Sequence, residues 1–438
     1  MLGGLIMKRK LIGELLNWKK NKRVKPLMIY GARQVGKTYL IRQFAKENYE
    51  YLYEINFEFD KNAKNLFKGN LTIENLFMQL SSYKTNIPII EGKTLLFFDE
   101  VQTCPDVLTS LKAFAIDGRF DVIASGSMLG IVMGKVSSYP VGYVETLNMK
   151  PMNFEEFLWA KGYSEELISS YESYYKEGKM LPEAIHQKLN ELFLQFVVVG
   201  GMPEVVEIFI KTNDIRLVVE AQKRILNDYY KDLAHYASKD IKERVRECYD
   251  SIPDQLAMEN KKYQYKIIKS GGNARYYGTS IKWIIDSGLV QQVYRLKTLD
   301  KPLRAYRDPK SFKLYFNDTG LLLAMYEENV QFEILNGNAG IFKGGIFENV
   351  IAQILLQNNL PIYYYRRDDR LEIDFITLLD NNIVPIEVKS GHSTKSVSLN
   401  NIIEKNNIKY GIKLSMNNVN CSNEKIKCYP LYMSMFLK

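Results

Sequence analysis

Pro26-Leu-Met-Ile-Tyr30-Gly31-Ala-Arg-Gln-Val-Gly36-Lys37-Thr38-Tyr-Leu-Ile-Arg-Gln-Phe44 is the stretch from which the fold is read. It opens on an apolar run of strand length and closes on apolar residues at helical spacing. Between them, Gly31 to Thr38 fits G-x-x-x-x-G-K-[ST]. The glycines let the backbone turn tightly, so that its N–H groups wrap a phosphate. The helix that follows aims its positive end at the same anion. In that pattern Lys37 reaches the β and γ phosphates of ATP, and the Thr38 hydroxyl ligates Mg²⁺.

Strand-length apolar runs recur at 51–57, 94–98 and 120–124, separated by helical patterns, which predicts a parallel sheet with crossover helices. Thr94-Leu-Leu-Phe-Phe98 ends in Asp99-Glu100, two carboxylates at the strand end where open α/β sheets bind ligands. Asp99 is expected to hold the Mg²⁺, and Glu100 to orient and deprotonate the attacking water. The run 120–124 ends in Ser125-Gly126-Ser127, and both serines are candidates for the γ-phosphate or the water.

Residues 151–235 lose the strands and read as helices, broken at Gly200-Gly201-Met-Pro203. Residues 236–335 carry three short helical patterns (242–257, 262–269, 275–286) before a strand pair, an arrangement that resembles a winged helix. Residues 336–438 return to α/β, with a helix at 342–358 and strands at 361–366, 371–378 and 383–389. The expected architecture is thus α/β in four territories. They are a P-loop NTPase sheet (1–150), a helical lid or linker (151–235), a winged-helix-like α+β domain (236–335) and a second α/β domain (336–438).

Several segments resemble a prokaryotic branch of the AAA ATPase superfamily, in which an ATPase core is fused to a C-terminal domain of uncharacterised role. They are Gly31–Thr38, Phe98-Asp-Glu-Val-Gln102, Ala124–Ser127 and Met152-Asn-Phe-Glu-Glu-Phe157, then Gly200-Gly-Met-Pro-Glu204, Phe312-Lys-Leu-Tyr-Phe316-Asn-Asp318 and Phe347-Glu348. The resemblance implies an arginine beyond the third of these strands that reaches a neighbouring subunit's ATP. No arginine stands between Arg119 and Arg216, which implies slow turnover, a substitute such as Lys135, or Arg119 serving from another angle, and weakens the inference of a ring motor.

The whole chain of 438 residues carries 59 Lys and Arg against 50 Asp and Glu, a net +9. Residues 241–313 hold sixteen basic and eight acidic residues, so +8 of that excess is local. Lys261, Lys262, Lys266 and Lys269, with Arg275 and Lys282 on the third helix, are candidates for DNA contact.

At the C-terminal end, Glu348, Asp374, Glu387 and Lys389 run in the order Glu…Asp…Glu-x-Lys, which resembles restriction-endonuclease-like folds. Acidic groups on neighbouring strands would bind Mg²⁺, and Lys389 would orient the attacking water. The expected function is Mg²⁺-dependent ATP hydrolysis coupled to a DNA-engaging, nuclease-like domain. The rival is a nucleotide switch whose inactive C-terminal domain docks a protein partner or a second copy of the chain.

No apolar run reaches the ~20 residues needed to span a bilayer. The N-terminal stretch lacks the long apolar core of a signal peptide. Cys104, Cys248, Cys421 and Cys428 have no metal spacing and read as reduced thiols, so a cytoplasmic location is expected. His186, His235 and His392 are isolated in the sequence.

Overall fold

The first sheet is built from the expected apolar runs. In the computed structural model, which describes residues 7–21, 25–127, 140–236, 239–327, 329–337, 343–368, 371–391 and 396–438, the chain divides into two units. The smaller comprises Arg9–Lys150 with Asp286–Gly288, and the larger Met1–Lys8, Pro151–Ile285 and Leu289–Lys438.

In the smaller unit the order is α1 (Leu11–Lys20), β1 (Leu27–Tyr30), α2 (Lys37–Asn48), β2 (Tyr51–Asn56), α3 (Ile73–Tyr83) and β3 (Thr94–Asp99). Then come α4 (Pro105–Asp117), β4 (Asp121–Gly126) and β5 (Glu145–Asn148). The strands pair in the order β2-β3-β4-β1-β5, all parallel. All six residues of β3 are buried, as a central strand with helices on both faces requires. Against one face Phe57, Phe67, Phe98 and Phe114 pack as a chain of rings, with centroids 5.3 Å apart for Phe67 and Phe98. Strand β5 has no counterpart in the expected strands. Glu145-Thr-Leu-Asn148 lies at the sheet edge, largely exposed, so no apolar run marks it.

The larger unit opens with helices α5 (Phe154–Ala160), α6 (Glu165–Glu177), α7 (Glu183–Val199), α8 (Pro203–Thr212) and α9 (Ile215–Tyr236). Asn153 caps α5 reciprocally with Glu156, each side chain accepting from the other's backbone N–H. Next come α10 (Lys239–Ala257), α11 (Tyr265–Ile268) and α12 (Ala274–Asp286), then the antiparallel pair β6 (Val290–Leu296) and β7 (Arg307–Phe316). After α13 (Thr319–Leu323) and α14 (Val330–Leu335) follow α15 (Lys343–Gln357), β8 (Tyr363–Asp368), β9 (Leu371–Leu379) and β10 (Asn382–Val388). The remaining elements are α16 (Val397–Lys405), β11 (Gly411–Ser415), β12 (Asn420–Asn423) and β13 (Ile426–Pro430).

The territories read separately as 236–335 and 336–438 share one sheet. Strand β6 pairs parallel with β8, Arg295 opposite Tyr364, giving the order β12-β13-β11-β10-β9-β8-β6-β7. Gly200-Gly201 also gains a reason. Asp318 Oδ2 accepts from Gly201 N at 2.6 Å and Oδ1 from Leu321 N at 3.0 Å. A Cβ on Gly200 would stand 2.2 Å from Asp318 Oδ1, and one on Gly201 2.0 Å from the Met152 carbonyl oxygen. Only glycine permits that approach.

Candidate functional site

At the C-terminal end of the first sheet, the loop between β1 and α2 turns on Gly36 in the left-handed region (φ 95°). A Cβ on Gly31 would lie 2.1 Å from the Met149 carbonyl oxygen, so the loop's first glycine is a matter of space. Lys37 is buried at the start of α2 and donates to the Gly31 and Ala32 carbonyls at 3.1 and 2.9 Å, which holds its ammonium over the loop.

Asp99, at the end of β3, is buried and meets four donors. Thr38 Oγ1 and Asn56 Nδ2 donate to Oδ2 at 2.9 and 3.0 Å, and Glu100 N donates to Oδ1 at 3.1 Å. Ser125 Oγ also donates to Oδ1. The next residue, Glu100, takes a left-handed backbone (φ 56°). Gln102 Nε2 donates to Glu100 Oε2 and, at 3.1 Å, to Ser127 Oγ, while Ser127 N returns a bond to Gln102 Oε1. Burial pushes the Glu100 carboxyl above the usual carboxylate range. The Gln102 donor and the Lys37 charge oppose this without cancelling it.

The structure therefore brings Gly31, Gly36, Lys37, Thr38, Asp99, Glu100, Ser125 and Ser127 to one sheet end. Both serines are engaged with the acidic pair: Ser125 directly on Asp99, Ser127 through Gln102 on Glu100. Asn56 and Gln102 escaped the sequence reading, although Asn56 carries a usable signal as a polar residue at the carboxyl end of a strand. The adjacent hard oxygens of Thr38 and Asp99 are a donor set that fits Mg²⁺. Arg119 precedes β4, at the opposite end of the parallel strands from the phosphate loop, where it pairs with Asp117 and lies over Phe77 and Phe120. Within its own subunit it is not an arginine for this site. Lys135 lies outside the described residues.

In the larger unit, Glu348 on α15 and Asp374 on β9 lie within electrostatic reach of each other and of Lys389, just beyond β10, which pairs with Glu387. The structure adds Lys313 and Tyr315 from β7, Glu372 from β9 and Lys261. Lys261 Nζ sits 3.0 Å from Glu348 Oε1, and Lys313 Nζ 3.2 Å from Oε2 and 2.7 Å from Glu372 Oε1. The Tyr315 hydroxyl donates to Glu348 Oε2 at 3.0 Å. Burial alone would raise the Glu348 carboxyl, but Lys313 and Lys261 hold it at about 2. Asp374 goes the other way, pushed up to about 8 by burial and then by the Glu348 charge. It accepts from Val388 N at 2.7 Å. Lys389 Nζ pairs with Glu387 Oε1 at 2.9 Å, whereas Glu387 Oε2 is buried without a hydrogen-bond partner.

Glu348, Asp374 and Glu387 do not fit a three-carboxylate metal site as folded, because both Glu348 oxygens already face ammonium groups. Among the described residues no group of three or more His, Cys, Asp or Glu gathers at metal-binding spacing. His186 is buried in polar contact with Tyr432 and Asn190; the His235 side chain and His392 lie outside the described residues.

Helix α12 buries Tyr277, Ser280, Ile281 and Ile284 and presents Arg275 and Lys282 to solvent. Lys266 and Lys269 are exposed and Lys262 half-buried. Lys261 leaves the DNA-contact set, since its ammonium is drawn into the acidic cluster.

Comparison with known proteins gives three matching family models. "AAA domain" matches residues 23–158, "Domain of unknown function (DUF8612)" residues 190–331, and "Domain of unknown function (DUF4143)" residues 343–433. Among curated proteins the chain is 28% identical over 220 residues to the uncharacterized protein MJ1544 of Methanocaldococcus jannaschii, covering 49% of this chain and 44% of that one. It is 25% identical over 191 residues to an uncharacterized protein of Haemophilus influenzae, covering 40% and 44%. The chain thus spans less than half the length of these two relatives. Among solved structures, the Walker-type ATPase paby2304 of Pyrococcus abyssi is similar over 73% of this chain and 96% of its own, at 14% identity and a TM-score of 0.44. The Aeropyrum pernix ORC1 protein in complex with DNA is similar over 73% and 91%, at 12% identity and a TM-score of 0.30. Residues 23–158 are an AAA-type P-loop domain by that family match. No described helix is long and apolar enough to cross a membrane.

Proposed function

We propose that the chain is a Mg²⁺-dependent ATPase whose nucleotide state is coupled to a DNA-engaging larger unit. One observation carries the first half: Lys37, Thr38, Asp99 and Glu100 stand together at the carboxyl end of one parallel sheet, beside a loop only glycines can form. The loop N–H groups and the Lys37 ammonium bind the phosphates. Thr38 Oγ1 and the Asp99 carboxylate would hold Mg²⁺, which would supply charge neutralisation for the transferring phosphoryl group. Glu100 orients the water. Because Gln102 engages Oε2, the proton passes to Oε1. ATP hydrolysis by purified protein, lost in Glu100→Gln, is the test. Turnover unchanged in that variant would remove Glu100 from the reaction.

For the second half the support is the +8 excess in residues 241–313 and the solvent face of α12 with Arg275 and Lys282. This unit binds without cutting: Glu348 is already neutralised by Lys261 and Lys313, as a buried carboxylate requires.

A second reading, metal-dependent cleavage at Asp374 and Glu387, is favoured by the buried, unpartnered Glu387 Oε2. Nicking of supercoiled plasmid with Mg²⁺ or Mn²⁺ separates the two. Nicking lost in Asp374→Ala establishes the second reading. No nicking in protein that still binds ATP and DNA supports the first.

A further inference from the structure

The chain enters the smaller unit at the Lys8–Arg9 bond and leaves it at the Lys150–Pro151 bond. Arg9 stands at the first crossing, almost wholly buried (6% exposed). Its Nη1 donates to the Val35 carbonyl at 2.8 Å and its Nη2 to the Lys150 carbonyl at 2.6 Å. Val35 belongs to the phosphate loop. Lys150 supplies the carbonyl of one of the peptide bonds at which the chain passes between the two units.

The consequence follows from peptide planarity. A trans peptide points its C=O and N–H in opposite directions, so fixing one fixes the other. Holding the Val35 oxygen sets the direction of the Gly36 N–H, one of the donors of the phosphate loop. Holding the Lys150 oxygen sets the plane of the 150–151 bond, whose far side is proline and has no N–H to offer. That far side is gripped in turn inside the larger unit: Gln357 Nε2 donates to the Pro151 carbonyl at 3.0 Å, and Met152 N to the Gly201 carbonyl at 2.7 Å. Gln357 ends α15, the helix that carries Glu348.

We infer that Arg9 is a positioning residue that ties the phosphate loop to the chain crossing at residues 150–151, so that nucleotide on the loop is felt in the segment after the crossing. Two carbonyls on two nitrogens of one planar fork is a geometry that lysine, with a single ammonium, cannot reproduce. The inference rests on the proposed ATP site and adds to it the route by which that site is regulated.

The experiment uses the full chain as wild type, Arg9→Lys and Lys37→Ala. Affinity for a fluorescent ATP analogue is titrated, thermal midpoints are recorded without nucleotide, and hydrogen exchange of residues 151–160 is followed with and without ATP. In wild type, ATP is expected to slow exchange in 151–160. In Arg9→Lys the affinity should fall about tenfold or more, the loss expected when a buried charged donor is removed. At saturating ATP its 151–160 segment should no longer respond. Arg9→Lys that binds like wild type and keeps the response overturns the inference. If Arg9→Lys fails to fold, wild type alone decides: exchange in 151–160 that ignores bound ATP also overturns it. Wild type that binds no ATP, indistinguishable from Lys37→Ala, sinks the ATP reading itself, a result distinct from the other two.

Discussion

The Thr38 hydroxyl donates a 2.9 Å hydrogen bond to Asp99 Oδ2 across 61 residues of chain. The strand before the phosphate loop, β1, and the strand that ends in Asp99, β3, are not neighbours; β4 lies between them, a span of about 10 Å at the usual strand spacing. The contact exists because Thr38 sits one residue inside α2, beyond the loop, and reaches back over the end of β4. Ser125, on that intervening strand, donates to the other Asp99 oxygen.

This arrangement makes Lys37 and Asp99 separable. Lys37→Ala should weaken nucleotide binding with or without metal, since the ammonium meets the phosphates directly. Asp99→Asn should weaken it chiefly when Mg²⁺ is present. Titration of a fluorescent ATP analogue with Mg²⁺ or with chelator checks both. Equal losses in the two conditions for Asp99→Asn would remove the metal role from that carboxylate.

Glu100 and Gln102 should divide turnover from binding. Glu100→Gln should keep nucleotide affinity and lose about 10²- to 10⁴-fold in kcat, the usual worth of a general base. Gln102→Ala removes the donor that orients Glu100 and the link to Ser127. It should lower kcat by a smaller factor with KM little changed. A rise in KM alone would make Gln102 a binding residue instead.

The solvent face of α12 should read phosphate charge. Arg275→Ala and Lys282→Ala should each weaken duplex binding across unrelated sequences and lower the salt slope by about 1. Fluorescence anisotropy over a salt series measures this. Lys261→Ala serves as the contrast, because its ammonium pairs with Glu348. It should cost stability and leave the salt slope unchanged.

Asp318 should make stability fall between pH 4 and 6. Burial lifts its carboxyl from 3.8 to about 6, despite the N–H groups of Gly201, Leu321 and Gly320 that favour the charged form. The folded chain therefore binds more protons there than the unfolded chain. The stability from this group is full below pH 3.8 and is lost as pH rises through about 6, amounting to about 3 kcal/mol at most. Urea unfolding across this range should slope downward in wild type and flatten in Asp318→Asn. Because Asn offers one acceptor for two donors, the variant should also be less stable throughout. A slope kept in Asp318→Asn would assign it to another group.

Most of the nucleotide site was legible because its chemistry is local. A phosphate loop needs glycines and a lysine at fixed offsets, and a carboxylate at a strand end announces itself after four apolar residues. Gln102 was not legible as a member of the site, since an amide side chain has no spacing rule and acquires a role only from what it faces; Asn56 carried only its place at the carboxyl end of a strand. Strand β5 was missed for the related reason that an exposed edge strand carries no apolar signature. Glu348, Asp374, Glu387 and Lys389 were read as a group, but Lys313 stood inside an apparent strand run, Phe312-Lys-Leu-Tyr-Phe316, with nothing to say which face it served.

By itself the sequence determined the local elements: the loop that can wrap a phosphate, the buried strands, and the helix that carries Arg275 and Lys282. Periodicity and backbone sterics act over a few residues, so they are written in the order of residues. The tertiary structure decided which charges meet. Lys261 and Lys313 are drawn to Glu348, and Arg9 to Val35 and Lys150, because a buried charge must find a partner wherever the fold provides one, at any distance along the chain. The same long-range pairing joined β6 to β8 and turned two apparent domains into one sheet.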